Sequence, residues 1–263
     1  MNWLEAIVLG LIQGFTEFLP VSSSGHLELG KYLFGIDAGA NFYFSIVVHG
    51  ATVLSTILVL WKEIADLGRG FFRFKWNEET SYLVKIAISL IPTAIAGIFL
   101  QDIAARYFRG NMTSLGIQFI MSALILLMPL FIRPKERPIG YFDSFIIGFA
   151  QAFAILPAIS RSGATIATGM MLGNKKSDIA KFSFLMVLIP VIGANLIEMR
   201  SEGFTTEGTS VTVILIGFAA AFISGYYACK WMINLVKKGN LGWFAVYCIL
   251  VGIFSILLGL HVI

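Results

Sequence analysis

Apolar residues in this chain gather into long blocks instead of alternating with polar ones, and the block lengths carry the first inference. Six uninterrupted stretches, at about 41–61, 83–100, 113–132, 179–198, 211–236 and 242–262, approach or exceed the roughly 20 residues that a helix needs to cross a bilayer. Two further stretches, 3–36 and 141–173, start apolar and then break. The first breaks at Pro20 and the run Ser22, Ser23, Ser24, Gly25, the second at Pro157 and the run Ser160, Arg161, Ser162, Gly163. Each arm is short for a crossing, and irregular backbone at membrane depth is tolerated only inside protein or along a cavity. The pattern therefore predicts an all-α polytopic membrane protein with six transmembrane helices and two re-entrant helix–loop–helix hairpins.

The two broken stretches align without a gap at an offset of 138. Gly10, Gln13, Phe15, Ser22, Ser24 and Gly25 match Gly148, Gln151, Phe153, Ser160, Ser162 and Gly163, acidic Glu5 meets Asp143, and Phe44 and Ser45 meet Phe182 and Ser183. This is an internal repeat, at about 1–133 and 139–263 of a single integral membrane domain spanning 1–263. A unit of one hairpin plus three spans crosses an odd number of times, so its second copy runs in the opposite sense. The pattern predicts inverted repeats.

Composition agrees: 57% of residues are hydrophobic and 13% charged, which leaves no separate soluble catalytic domain. The net charge of +4 does not point to nucleic acid, because the basic residues sit in short loops between apolar blocks. Loops 62–82, 133–140, 174–178 and 237–241 fall on one side by parity and hold eleven Lys and Arg, against Arg106, Arg109 and Arg200 opposite. Basic residues are retained in the cytoplasm, so this parity puts both termini outside a plasma membrane. Segment 62–82, with Phe71, Phe72, Phe74 and Trp76 among its charges, reads as a helix on the membrane surface without chemistry of its own. Cys229 and Cys248 lie in separate apolar blocks as core residues, and the opening, with Glu5 and no basic residue before Lys31, does not read as a signal peptide. A homo-oligomer is compatible with this composition.

Ionisable groups at membrane depth cost roughly 2.5 to 3.5 kcal/mol each on insertion scales, so those near the hairpin tips ask for a reason. Gln13 and Glu17 are four apart on one helical face, His26 follows the first Ser-rich turn, and Arg161 occupies the second. Ser22, Ser23, Ser24, Ser160 and Ser162 surround them, with Thr165 one turn on, and Gly25 and Gly163 let backbone come close. Each turn leads into a helix N-terminus, where Ser caps and free N–H groups gather, and two such ends with an Arg fork make an anion site suited to phosphate. Simple capping by Ser22 and Ser160, and a Glu17–Arg161 ion pair that only locks the hairpins, are the plainer alternatives. Glu17 and Gln13 with phosphate oxygens suit a hard divalent cation, Mg²⁺ or Ca²⁺. Gly10 and Gly14 read as helix packing, His49 as hydrogen-bonded to a neighbouring helix, and Asp143, Glu28 and Glu198 as solvated at membrane boundaries.

Residues 10–27, GLIQGFTEFLPVSSSGHL, and 156–165, LPAISRSGAT, resemble the two signature regions of the undecaprenyl-diphosphate phosphatase, or bacitracin resistance protein, family. The likeness covers essentially the whole chain in segment layout. Two departures stand out: Ala158 where the family pattern has Gly, and Gln13 where Glu is commoner. The resemblance implies metal-assisted removal of the terminal phosphate from a polyprenyl diphosphate lipid in the bilayer, at a site open toward the outer face. The residues allow that chemistry: Arg161 and the helix ends hold the diphosphate, and Glu17 binds metal, activates the nucleophile, or both. Ser23, His26 or water could attack; Ser23 is favoured, with His26 and Glu17 moving protons. The competing reading is a transporter or flippase of a phosphorylated polyprenyl lipid, suggested by inverted repeats with broken helices.

Overall fold

The computed structural model describes residues 1–36, 42–108, 111–132, 135–202, 210–239 and 241–261. Arg109 and Arg133 lie outside the described residues. Eleven α-helices appear among the described residues: α1 (Trp3–Phe18), α2 (Ser23–Leu33), α3 (Phe42–Val59), α4 (Trp61–Phe71), α5 (Glu78–Phe108), α6 (Met112–Leu127), α7 (Tyr141–Phe153), α8 (Arg161–Met171), α9 (Lys176–Glu202), α10 (Val211–Lys238) and α11 (Gly242–Gly259). A 3₁₀ turn, Met128–Phe131, extends α6. No strand occurs among the described residues, only a parallel bridge between Arg137 and Asn174.

Five helices are long and apolar enough to cross a membrane, within Glu78–Leu100, Met112–Phe131, Lys176–Ile197, Val211–Lys238 and Gly242–Gly259. A sixth crossing results if α3 and α4, bent by 72° at Leu60, count together. This is a multi-pass membrane protein, and large side chains such as Ile98, Phe99, Phe149 and Leu250 are exposed on its flanks. Segment 62–82 is not one surface helix: α4 ends at Phe71, a short turn follows, and α5 begins at Glu78. The chain between the apolar stretches 83–100 and 113–132 is largely helix too, since α5 continues to Phe108.

The broken stretches are helix pairs in contact, α1 with α2 and α7 with α8. Helix α1 lies along α10, and α7 along α5. Gly10 and Gly14 face α10 as packing residues: a Cβ at Gly14 would stand 2.5 Å from Ala221 O and 2.7 Å from Gly225 N. Gly148 abuts the backbone of Ser89 in the same way. The main apolar core joins Phe18, Ile147, Ile166, Phe182, Met186, Met232 and both free cysteines, Cys229 and Cys248.

Asp143 departs from its expected solvated position. It is 2% exposed, gripped by Arg137 through two bonds of 2.7 and 2.6 Å, by the Gly140 N–H at 2.8 Å and by Asn174 Nδ2 at 3.0 Å. This clasp fastens the segment entering α7 to the turn between α8 and α9, which a sequence reading of Arg137 as a loop charge does not foresee.

Candidate active site

Helix α1 stops at Phe18 because Pro20 cannot continue it, and α8 starts at Arg161 after a turn opened by Pro157. Ser22 caps α2, its Oγ accepting from the Gly25 N–H at 3.3 Å, and Ser160 caps α8 by accepting from Gly163 at 3.0 Å. The predicted caps therefore form. The two turns are also tied to each other: Ser22 Oγ donates to Pro157 O at 3.1 Å, and Ser24 Oγ donates to the same carbonyl. Behind them, α6 holds the second turn. Gln118 Oε1 accepts from Ala158 N at 3.0 Å, and Ser122 Oγ bridges Ala158 O and Ser160 N, each at 3.1 Å. Ala158 fits without strain on this turn, fully buried beside Phe119 and Leu115.

Glu17 is the hub where these pieces meet. Its Oε2 accepts from Ser23 Oγ at 2.5 Å and from Gln13 Nε2 at 2.9 Å, while its Oε1 lies 3.4 Å from Arg161 Nη2. Arg161 remains about a third exposed at 32%, so the guanidinium keeps an open face. His49 comes as an addition: its Nδ1 bonds Ser45 O of its own helix at 2.8 Å, and its Nε2 stands 4.0 Å from Glu17 Oε2. The expected bond to a neighbouring helix is thus replaced by an approach to Glu17.

Glu17, Arg161 and Ser162 line a shallow groove whose other walls are Phe18, Thr52, Val53, Thr56, Phe184, Val187, Leu188 and Val191. A smaller hollow shares Glu17, Arg161 and Ser162 with the groove and is lined further by Thr16, Ser22, Ser23, Ser24, Ile159 and Ser160. Glu17, Arg161 and the serines make one part polar and the groove's other walls are largely apolar, a lining that suits an amphiphile with a polar head.

The remaining candidates divide. Ser162 Oγ donates to Leu19 O at 3.3 Å at the edge of the hollow, and Gln13 is buried with its Oε1 unpartnered. Thr165 is not at the site: it is fully buried, bonded to Arg161 O at 2.8 Å and to Ser183 of α9 at 2.5 Å. Gly25 and Gly163 act through closeness, since a Cβ at Gly25 would stand 2.8 Å from Phe119 Cζ. His26 lines neither space, its ring lying between Ser22 O at 2.7 Å and Tyr247 OH at 2.8 Å. Among the described residues no group of three His, Cys, Asp or Glu forms a metal cluster. Gln13 Oε1 beside the Glu17 carboxylate still offers two hard oxygen donors, which fits a divalent cation that takes most of its shell from substrate and water.

Sequence reasoning missed His49, Thr52 and Thr56 on α3, Gln118 and Ser122 on α6, and Tyr247. A signal existed for the first five. His49, Thr52 and Thr56 recur at helical spacing on one face of an apolar span, and Gln118 and Ser122 do so on another.

Comparison with known proteins agrees with this geometry. The family model described as bacitracin resistance protein BacA matches residues 6–254. A protein of Bacteroides fragilis named undecaprenyl-diphosphatase is 48% identical over 97% of this chain and 98% of its own length. Proteins of the same name from Christiangramia forsetii, at 44% over 98% of both chains, and Carboxydothermus hydrogenoformans, at 35% over 96% of both, resemble it as fully. Both signature turns lie inside the matched range and converge on Glu17 and Arg161, and the match runs nearly end to end, so the chain belongs to the bacitracin resistance protein BacA family.

Proposed function

We infer that this chain is an integral membrane phosphatase that hydrolyses undecaprenyl diphosphate, releasing inorganic phosphate and leaving the monophosphate lipid carrier used in cell-envelope synthesis. The observation that carries the reading is a serine hydroxyl donating to a membrane-depth carboxylate, Ser23 to Glu17 at 2.5 Å, with Arg161 on the carboxylate's other oxygen. A flippase wants an anion site but has no use for a hydroxyl paired with a base. In the proposed reaction Ser23 Oγ passes its proton to Glu17 and attacks the terminal phosphorus, and the bond to the bridging oxygen breaks as the monophosphate lipid leaves. Water then cleaves the phosphoserine, Glu17 returning its proton to Ser23 Oγ as inorganic phosphate departs. Arg161 and the free N–H groups at the starts of α2 and α8 hold the phosphates and stabilise the charge spread over the transferred group. The apolar wall of the groove, Val53, Phe184, Val187, Leu188 and Val191, receives the first part of the prenyl chain.

Glu17 and Gln13 would hold Mg²⁺ or Ca²⁺, which when bound supplies charge neutralisation at the diphosphate oxygens. The two helix pairs are re-entrant hairpins in inverted repeats of one membrane domain, with the cytoplasm on the side of residues 62–82. Support for the repeat comes from α1 on α10 against α7 on α5, and from matching caps at Ser22 and Ser160. Gly116 and Gly252 add to it, each leaving no room for a Cβ beside the other's carbonyl.

Phosphate release from undecaprenyl diphosphate by the purified protein is the direct test. Release is expected, with loss in excess chelator and recovery on adding Mg²⁺ or Ca²⁺. No release from lipid that nonetheless crosses a proteoliposome bilayer would put transport in its place.

A further inference from the structure

The turn that carries Ser23 is strained. Ser22 has φ 71° and ψ 104°, a left-handed setting that side chains other than glycine rarely adopt and that persists only where surroundings over-determine it. Its counterpart Ser160 has φ −68°, an ordinary value. The repeat thus supplies an internal control: whatever braces Ser22 and is absent around Ser160 belongs to the strain.

That brace is a chain of two side chains. The carbonyl of Ser22 accepts from His26 N at 3.2 Å and contacts His26 Nδ1 at 2.7 Å. A carbonyl can only accept, so Nδ1 carries the hydrogen and neutral His26 presents a lone pair at Nε2. Tyr247 of α11 donates its hydroxyl there at 2.8 Å, the two rings lying within 7° of parallel, and Phe119 closes the other side edge-on at 5.0 Å between centroids. The ring is 8% exposed and faces neither the groove nor the hollow. In the second repeat the matching position is Ala164, which has no such side chain to offer.

We propose that His26 and Tyr247 are positioning residues: together they hold the strained Ser22 carbonyl, and so aim Ser23 Oγ at Glu17, and His26 takes no part in proton transfer. The proposal rests on the phosphatase reading with Ser23 as the attacking group. It predicts that one hydrogen-bond donor at the place of Nδ1 is what the reaction needs from this side chain.

Steady-state kinetics on undecaprenyl diphosphate, with thermal melting of every variant, separate this from acid–base catalysis. Asparagine puts an amide N–H near the place of Nδ1 but cannot shuttle a proton, so His26→Asn is expected to keep kcat within about tenfold, whereas His26→Ala loses about a hundredfold. KM is expected to stay within about threefold in both, since phosphate contacts are untouched. Tyr247→Phe should lower kcat by about three- to tenfold with KM unchanged, and should add nothing in the His26→Asn background, because the shorter amide does not reach the phenol. His26→Asn as inactive as His26→Ala in a folded protein would overturn the proposal, as would Tyr247→Phe with wild-type kcat. Wild-type protein that releases no phosphate would remove the phosphatase reading and this proposal with it, whereas failure of the variants alone leaves the phosphatase reading intact.

Discussion

A carboxylate held at membrane depth costs several kcal/mol unless its surroundings are arranged for it, and Glu17 has Ser23, Gln13 and Arg161 within 3.4 Å. Such an arrangement serves either chemistry or a structural lock, and Glu17→Gln separates the two because it keeps size and one accepting oxygen while removing the charge. If the pair were a lock, the change would leave Arg161 unpaired and destabilise the fold by about 3 to 5 kcal/mol. Arg161 is 32% exposed and reached through a single 3.4 Å contact, which is loose for a lock. The expected outcome is therefore a variant that melts close to wild type, still binds the diphosphate lipid through Arg161 and the helix ends, and releases no phosphate. Thermal melting and phosphate release measured on the same preparation check it. Glu17, Ser23 and Arg161 were legible in sequence because each is a polar residue out of place in an apolar block. Tyr247 was not, since which of two helices meet, and at what rotation, is not written in an apolar run.

Helix packing explains where such a run carries information after all. Gly10 and Gly14, four apart, announce a close contact without naming the partner, and the partner is α10 at Gly217, Ala221 and Gly225. Alanine at Gly14 would put its Cβ 2.5 Å from Ala221 O and 2.7 Å from Gly225 N, backbone atoms that cannot swing aside. Gly97 of α5, by contrast, has nothing within 4 Å of the place its Cβ would take. The same substitution should then act in opposite directions. Gly14→Ala is expected to destabilise by at least the roughly 1 to 3 kcal/mol typical of overpacking. Gly97→Ala is expected to stabilise by about 0.5 to 1 kcal/mol through helix propensity. Thermal unfolding in one detergent checks both, and equal shifts of the same sign would mean that α1 and α10 are not in contact in the membrane. Helix ends were harder to read than packing, as α5 shows by continuing past its apolar portion to Phe108. Hydropathy marks where a helix leaves lipid, and backbone hydrogen bonding alone decides where it stops.

For the molecule as a whole, the polar site is useful only if its lipid substrate can reach it from the correct face, and orientation is a property that no single helix carries. Charge and parity set the orientation. In the proposed topology, six crossings and two hairpins that enter and leave on one side would put residues 62–82, 133–140, 174–178 and 237–241 together, and these segments hold eleven Lys and Arg against three opposite. Lysine and arginine are counted because they resist translocation whether or not a carboxylate neutralises them, so the clasp of Arg137 on Asp143 does not alter the reckoning. The second hairpin matters equally: were it a full crossing, residues 174–178 and 237–241 would fall opposite residues 62–82 and 133–140, and the basic residues would divide between the two sides. Single-cysteine labelling tests the orientation, and Cys229 and Cys248, buried and free, are replaced first to leave a silent background. Lys135→Cys, at an exposed position, is expected to react with an impermeant maleimide only after the cells are permeabilised, and Arg109→Cys to react in intact cells. The reverse pattern would turn the molecule over. Labelling of both from outside would show that α6, the one helix between them, does not cross.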